Sequence, residues 1–276
     1  KRSEEMFRIV QIPISSPTLW PNTTTNCYLA GNEQESILID AAYDQEETKI
    51  ALEQVIQKHQ FAVPKKIILT HGHQDHAPGV KQLSHWDPVV ICHEEEWDVI
   101  EVMVNPIQNI STVKDNETIT VSGKEINLLH TPGHTKGHLS LYIPSLETLI
   151  GGDNVLSEGT TWIGPPDGDM SDYLNTLNRL QALSLKKIGP GHGEWIYNPY
   201  EKISFVINRR LQREKQILSI LTKENALTVE QITDYIYQDS IHPSVIGVAQ
   251  RTMEAHLLKL IKDGKVKSVS DQYMLV

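Results

Sequence analysis

The stretch Ile67-Ile68-Leu69-Thr70-His71-Gly72-His73-Gln74-Asp75-His76 decides how the rest of the chain is read. An apolar run ends at a threonine and gives way at once to four ligand-type side chains within six residues. That is a strand followed by a loop at its exit. Imidazoles suit zinc, and a carboxylate among them suits a hard or borderline divalent ion. Residues two apart point the same way in extended chain, so His71 and His73 can grip one ion. Asp75 and His76 lie further round the loop, in reach of a second, and Gly72 permits the tight path. A cluster of this kind is not easily packed into a core.

Three later stretches supply what the cluster lacks. Thr131-Pro132-Gly133-His134 follows the apolar run that ends at Leu129-His130 and places His134 on a loop at a strand end. Leu149-Ile150-Gly151-Gly152-Asp153 puts a carboxylate just past a strand, with two oxygens able to bridge two ions. Ile188-Gly189-Pro190-Gly191-His192-Gly193 holds an imidazole in a glycine-rich turn. Each alone is weak, because a lone histidine is more often a satisfied polar residue than a ligand. Together with the first cluster they make seven donors, enough for two metal ions.

Outward from these motifs, the first 200 residues alternate short apolar runs with helical patterns, the signature of a layered α/β fold. Strands are expected over Phe7–Ile14, Asn26–Ala30, Ser36–Asp40, Lys65–Thr70, Val89–Cys92, Thr118–Val121, Ile126–His130, His138–Ile143 and Thr148–Gly151. So many short strands favour a sandwich over a doubly wound sheet. One helix carries Leu52, Val55, Ile56 and His59 on a face, with Asp44 and Glu47 as its expected cap; another carries Tyr173, Leu177 and Leu180 and begins near Asp169. From about residue 200 the pattern turns helical: Ile203–Leu221, a helix opened by Thr228 with Gln231 as its capping-box partner, and Ser244–Asp263 stopped by Gly264. Lys265–Val269 and Gln272–Val276, joined by a Ser270-Asp271 turn, complete a winged-helix pattern. The domains are therefore placed at 1–200 and 201–276.

The net charge of -10 argues against a general nucleic-acid binder. Residues 201–276 hold 11 Lys and Arg against 9 Asp and Glu, so the acidity sits in the first two thirds. Cys27 and Cys92 cannot make a disulfide framework and read as buried free thiols, which suits a reducing, cytoplasmic setting. Lys1-Arg2-Ser3-Glu4-Glu5 leads into no signal-type apolar run, and no run approaches a membrane span.

His71-x-His73-x-Asp75-His76, then His134, Asp153 and His192, with Asp40 closing Ile37-Leu38-Ile39-Asp40, resembles the metallo-β-lactamase-fold hydrolases over about the first 200 residues. The resemblance implies an α/β fold, an αββα sandwich followed by a small C-terminal winged-helix domain, with the site at one edge between the sheets. It makes His71, His73 and His134 the ligands of one ion, Asp75, His76 and His192 those of the second, and Asp153 the bridge. Asp40 becomes a buried carboxylate supporting the ligand loops. The expected cofactor is two divalent ions, Zn2+ first, with Mn2+ or Fe2+ as alternatives. A metal-activated hydroxide would attack a carbonyl or a phosphorus, with Asp75 accepting a hydrogen bond from the nucleophile. The commoner family form has serine where His138 stands. Two readings of His138 remain open, a contact to leaving group or phosphate and a supporting role behind the ligands.

A winged helix after such a domain looks like the subgroup that includes a mitochondrial single-strand-specific endoribonuclease, which favours single-stranded RNA. Against that, the third helix and hairpin offer Arg251, Lys259, Lys262, Lys265 and Lys267 with Glu254 and Asp263 among them, thin for tracking phosphates. A small-molecule ester is the other expected substrate, and a homo-oligomer the expected assembly, without a membrane partner. The rival readings are a glyoxalase-II-like thioester hydrolase and a metal-sensing, non-catalytic DNA-binding regulator. The second conflicts with a full ligand set, since degeneration normally costs a ligand.

Overall fold

The apolar runs form β1 (Arg8–Ser15), β2 (Thr24–Gly31), β3 (Ser36–Ile39), β4 (Lys66–Ile68), β5 (Val89–His93) and β6 (Ile110–Val113), side by side in that order in one six-stranded sheet. The structure is a computed structural model that describes residues 6–17, 23–238 and 240–276; the charged run at residues 1–5 lies outside them. β1 to β3 pair antiparallel and β3 to β6 parallel. A second sheet of five strands runs β11-β10-β9-β8-β7, formed by β7 (Glu117–Val121), β8 (Lys124–His130), β9 (Leu139–Ile143), β10 (Thr148–Gly152) and β11 (Lys187–Pro190).

Alternation across the first sheet explains why its strands read as unbroken apolar runs. Tyr28, Ala30, Ile37, Ile39, Ile68 and Ile91 join Val121, Ile126, Leu128, Leu139, Leu141 and Ile150 in the core between the sheets. Their neighbours Cys27, Leu29, Leu38, Ile67, Leu69, Val90 and Cys92 turn the other way, into a core with Leu52 and Ile56 of α1 (Glu46–His59) and Ile100 and Val104 of α2 (Trp97–Val104). Both faces of these strands are buried, as in parallel sheets covered by helices. Each fully buried Leu or Ile contributes about 1.5–3 kcal/mol. Cys27 and Cys92 are buried free thiols.

By internal packing the chain divides into two units. The first is Lys1–Thr131, Gly137–Gly159 and Leu183–Pro199. The second is Pro132–Lys136, Thr160–Ala182 and Tyr200–Val276. In the second, α3 (Met170–Gln181) begins as expected at Asp169, whose carboxylate accepts the Ser171 and Asp172 N–H groups, and it buries Tyr173, Leu177 and Leu180. Next come α4 (Pro199–Glu224), β12 (Ala226–Leu227), α5 (Val229–Tyr237), α6 (Ile246–Lys262), β13 (Val266–Val269) and β14 (Gln272–Leu275). Thr228 and Gln231 make the expected capping box, and Ser270 and Asp271 take the positive φ angles of a tight hairpin turn. Ile217, Leu221, Ile232, Met253, Leu257, Leu260 and Val266 form the core of this winged helix.

One expected cap is not formed. Helix α1 has Gln45 as its N-cap with no side-chain cap bond, while Asp44 accepts from Gln82 at 2.7 Å and pairs with Lys81 at 3.0 Å. The cation of a neighbouring segment outcompetes the helix terminus for this carboxylate.

Candidate metal centre

Strand ends of the two sheets bring the predicted donors of the first unit together. β3 leads into Asp40, β4 into Thr70 and His71, β10 into Asp153 and β11 into His192. Asp40 adopts a left-handed φ of 57° and is buried. Its Oδ1 accepts the Thr70 N–H at 2.7 Å, and its Oδ2 accepts the Thr70 hydroxyl and His76 Nδ1–H, each at 2.8 Å. With its proton given to Asp40, the Thr70 hydroxyl accepts from His71 Nδ1 at 2.9 Å. One carboxylate therefore fixes the tautomers of two histidines and leaves the Nε2 of each for another partner.

The same device recurs at the other imidazoles. His192 Nδ1 donates to the Thr24 carbonyl at 2.7 Å. In the second unit, His134 Nδ1 donates to the Trp162 carbonyl at 2.8 Å. The loop that carries His134 is tied to α3: Asp169 donates its N–H to the Gly133 carbonyl at 2.9 Å, and the Thr176 hydroxyl donates to the Pro132 carbonyl at 2.7 Å. Gly133 has a φ of 134°, and a Cβ there would meet the Tyr173 backbone nitrogen at 2.5 Å, so no other residue fits.

The donors of the first unit converge. His71 Nε2 and His73 Nδ1 are 3.0 Å apart. Asp75 Oδ2, which accepts the Thr25 hydroxyl at 3.0 Å, lies 3.2 Å from His192 Nε2 and 3.5 Å from His76 Nε2. Asp153 offers Oδ1 to His76 and Oδ2 to His192, both at 3.4 Å. Donor atoms of His71, His76 and Asp153 lie within 4.8 Å of one another, and so do those of Asp75, His76 and His192. Ligands about 2.0–2.2 Å from an ion are separated by distances of this order. A Cβ on Gly191 would fall 2.0 Å from Asp153 Oδ1, so glycine keeps this cradle open.

These residues fit divalent ions. His76 Nε2 is fully buried and makes no hydrogen bond, although two carboxylates face it. A buried polar atom in that state costs free energy that a cation would recover. The electrostatics agree. Burial alone would raise the Asp75 carboxyl, but the His76 ring and the hydrogen bond from His192 outweigh it and hold it below the usual carboxylate range. Against the same opposing burial, His192 and His76 keep Asp153 low. Burial would lower both imidazoles, yet the carboxylates raise His76 and push His192 up to about 10. Without an ion the excess negative charge holds protons on the imidazoles, and a dication displaces them.

His138 is fully buried. Its Nε2 accepts the Asp153 N–H at 3.2 Å, and its Nδ1 lies 2.9 Å from the Thr131 hydroxyl. Thr24, Thr25, Thr70 and Trp162 were not anticipated from sequence. Threonines and backbone carbonyls carry no ligand signature, and their roles appear only when the strands are aligned.

A sandwich that gathers histidines and aspartates at its strand ends defines a class of metal-dependent hydrolases. Residues 20–192 match the Metallo-beta-lactamase superfamily and residues 228–273 the Beta-lactamase associated winged helix domain, so the chain belongs to the metallo-β-lactamase superfamily and is a metal-dependent hydrolase. It is 30% identical over 278 residues to the Beta-lactamase-like protein 2 homolog of Drosophila melanogaster, covering 94% of this chain and 89% of that one. It is 28% identical over 214 residues to the Atrochrysone carboxyl ACP thioesterase of Aspergillus fumigatus, covering 78% of this chain and 65% of that one. A metallo-beta-lactamase family protein from Thermus thermophilus shares the fold at a TM-score of 0.82 and 23% identity, over 97% of this chain and 98% of that one. Among the described residues no helix is long and apolar enough to cross a membrane.

Proposed function

We propose that this chain hydrolyses an acyl ester or thioester at a dinuclear zinc centre. His71, His73 and His134 would hold one ion and Asp75, His76 and His192 the other, with Asp153 completing the ligand set. When bound, the two ions supply Lewis acidity to the substrate oxygen and a water far more acidic than the ~15.7 of bulk water. The chain's own groups aim the reaction. Asp75, held through Oδ2 by the Thr25 hydroxyl, accepts a hydrogen bond from the attacking water and fixes its direction. Asp40 keeps Nε2 of His71 and His76 facing inward. His138 holds the Asp153 backbone from behind and stays clear of substrate. No serine or cysteine nucleophile is needed, and no acyl-enzyme forms.

The acyl reading is carried over a phosphodiester by the pairing of the cations on α6. Arg251 pairs with Glu254 at 3.5 Å, Lys259 with Glu214 and Asp263 at 3.2 and 2.7 Å, and Lys262 with Asp169. A helix whose cations face carboxylates of its own unit releases few counterions on meeting a nucleic acid. The thioesterase name carried by a relative supports the same class.

The test offers zinc-loaded protein an acyl N-acetylcysteamine thioester and, separately, a fluorescent single-stranded RNA. The expected result is thioester hydrolysis that Asp75→Ala removes, with the RNA intact. RNA cleavage with the thioester untouched would replace the acyl reading by the phosphodiester one.

A further inference from the structure

Glu96 is a buried carboxylate that the ligand set does not use. It ends a 3-10 turn, Glu94–Glu96, directly after β5, and it is 4% exposed. Its Oε1 accepts the Gly72 N–H at 2.9 Å and its Oε2 accepts the Gly137 N–H at 2.9 Å, both bonds buried. Gly72 lies between His71 and His73. Gly137 immediately precedes His138, which holds the Asp153 backbone. One side chain thus spans two separate segments of the centre, each through one oxygen.

Both partners are glycines, and the space explains why. A Cβ on Gly72 would come within 2.5 Å of Val99 Cγ1 and 3.3 Å of Glu96 Oε1. A Cβ on Gly137 would come within 2.5 Å of the Glu96 nitrogen and 2.7 Å of Oε2. Neither segment reaches the carboxylate with a side chain in the way. Backbone N–H bonds to a carboxylate are roughly twice as strong as neutral ones and strongly directional. A second tie, from the Leu139 N–H to the Thr70 carbonyl at 2.7 Å, joins the same two segments one step further along.

We propose that Glu96 is a positioning residue for the metal centre: its carboxylate fixes the spacing between the His71-Gly72-His73 turn and the Gly137-His138 segment, and so sets the affinity for the ion that His71 and His73 hold. The assignment of that ion rests on the dinuclear reading above. Glu96 touches neither ion nor substrate, because each of its oxygens is turned to a backbone N–H. Charge alone does not suffice on this account; the side chain must also be long enough to reach both amides.

The test uses metal-free full-length protein titrated with Co2+, followed by visible absorption, for wild type, Glu96→Gln and Glu96→Asp. The wild type takes up two equivalents. In Glu96→Gln one equivalent still binds as in wild type, while the affinity for the other falls by roughly 10–100-fold and its absorption bands shift. Glu96→Asp keeps the charge, loses the reach, and gives the same loss. Full affinity in Glu96→Asp would overturn the proposal, and so would a lowered melting temperature of metal-free Glu96→Gln with both affinities unchanged. Amide exchange at Gly72 and Gly137 in the metal-free wild type is an independent readout: the clamp requires both to be protected, and rapid exchange at either overturns it. If the wild type binds fewer than two Co2+ ions while both amides are protected, the dinuclear reading fails and the clamp stands. If a Glu96 variant does not fold, Gly137→Ala, which drives a Cβ into the same carboxylate, replaces it and is expected to show the same loss of one affinity.

Discussion

The histidines of the candidate centre are oriented by groups on the far side of each ring from the converging donors. Asp40 directs Nε2 of His76 and, through Thr70, that of His71, while backbone carbonyls do the same for His192 and His134. Asp40→Asn removes an acceptor from a three-donor cluster and is expected to weaken metal affinity by roughly 10–100-fold, measured by competition with a chromophoric chelator. Asp75→Ala is expected to lower turnover by roughly 10²–10⁴-fold with an unchanged circular dichroism spectrum. Protonation gives a further handle. His192, pushed up to about 10 by Asp153 and Asp75 against burial, carries a proton at neutral pH in the metal-free protein, and the facing carboxylates raise His76 as well. Zinc loading at pH 7 should therefore release at least the His192 proton, and affinity should fall as pH falls. Calorimetry in two buffers of different ionisation enthalpy measures the release. For the metal-free protein the sign is opposite to that of a carboxylate: the raised His192 stabilises it fully below about pH 6.5, the unperturbed value. That contribution is lost as pH rises through about 10.

Elements with strong local signals were readable in advance. The runs from Ile37 and Ile67, the Thr228 capping box, the Asp169 start of α3 and the Ser270-Asp271 turn all follow from period, cap chemistry or turn geometry. Elements whose definition depends on neighbours were not readable. β6 is a short edge strand with two exposed residues, and β11 reads Lys-Ile-Gly-Pro, a turn by composition. Gly189 is needed in β11 because a Cβ would meet the Tyr28 ring at 2.8 Å, a constraint set 161 residues away in the chain. Asp44 failed as a cap for the same kind of reason, since Lys81 could not be placed beside it from sequence. The candidate donors were legible because they cluster at strand exits. The braces Thr24, Thr70 and Trp162 were not, because they act through geometry alone. At this scale, Thr228→Ala should cost about 1 kcal/mol and Leu257→Ala about 2–5 kcal/mol of stability, read from urea unfolding followed at the winged helix.

At the scale of the whole molecule, folding and metal binding are linked. An ion that binds the folded chain and not the unfolded one stabilises it by mass action, about 4 kcal/mol at a thousandfold excess over Kd. A family with this fold accommodates many substrates, so the chemistry is set by the site and the substrate by what surrounds it. The central claim is that two ions and their seven protein ligands carry out hydrolysis together. The most direct measurement adds Zn2+ stepwise to metal-free protein while following hydrolysis of the acyl thioester and bound zinc in the same samples. The account predicts that activity stays low through the first equivalent and rises to its maximum with the second. Full activity at one equivalent, or two bound equivalents without hydrolysis of any ester, thioester or phosphodiester supplied, would contradict it.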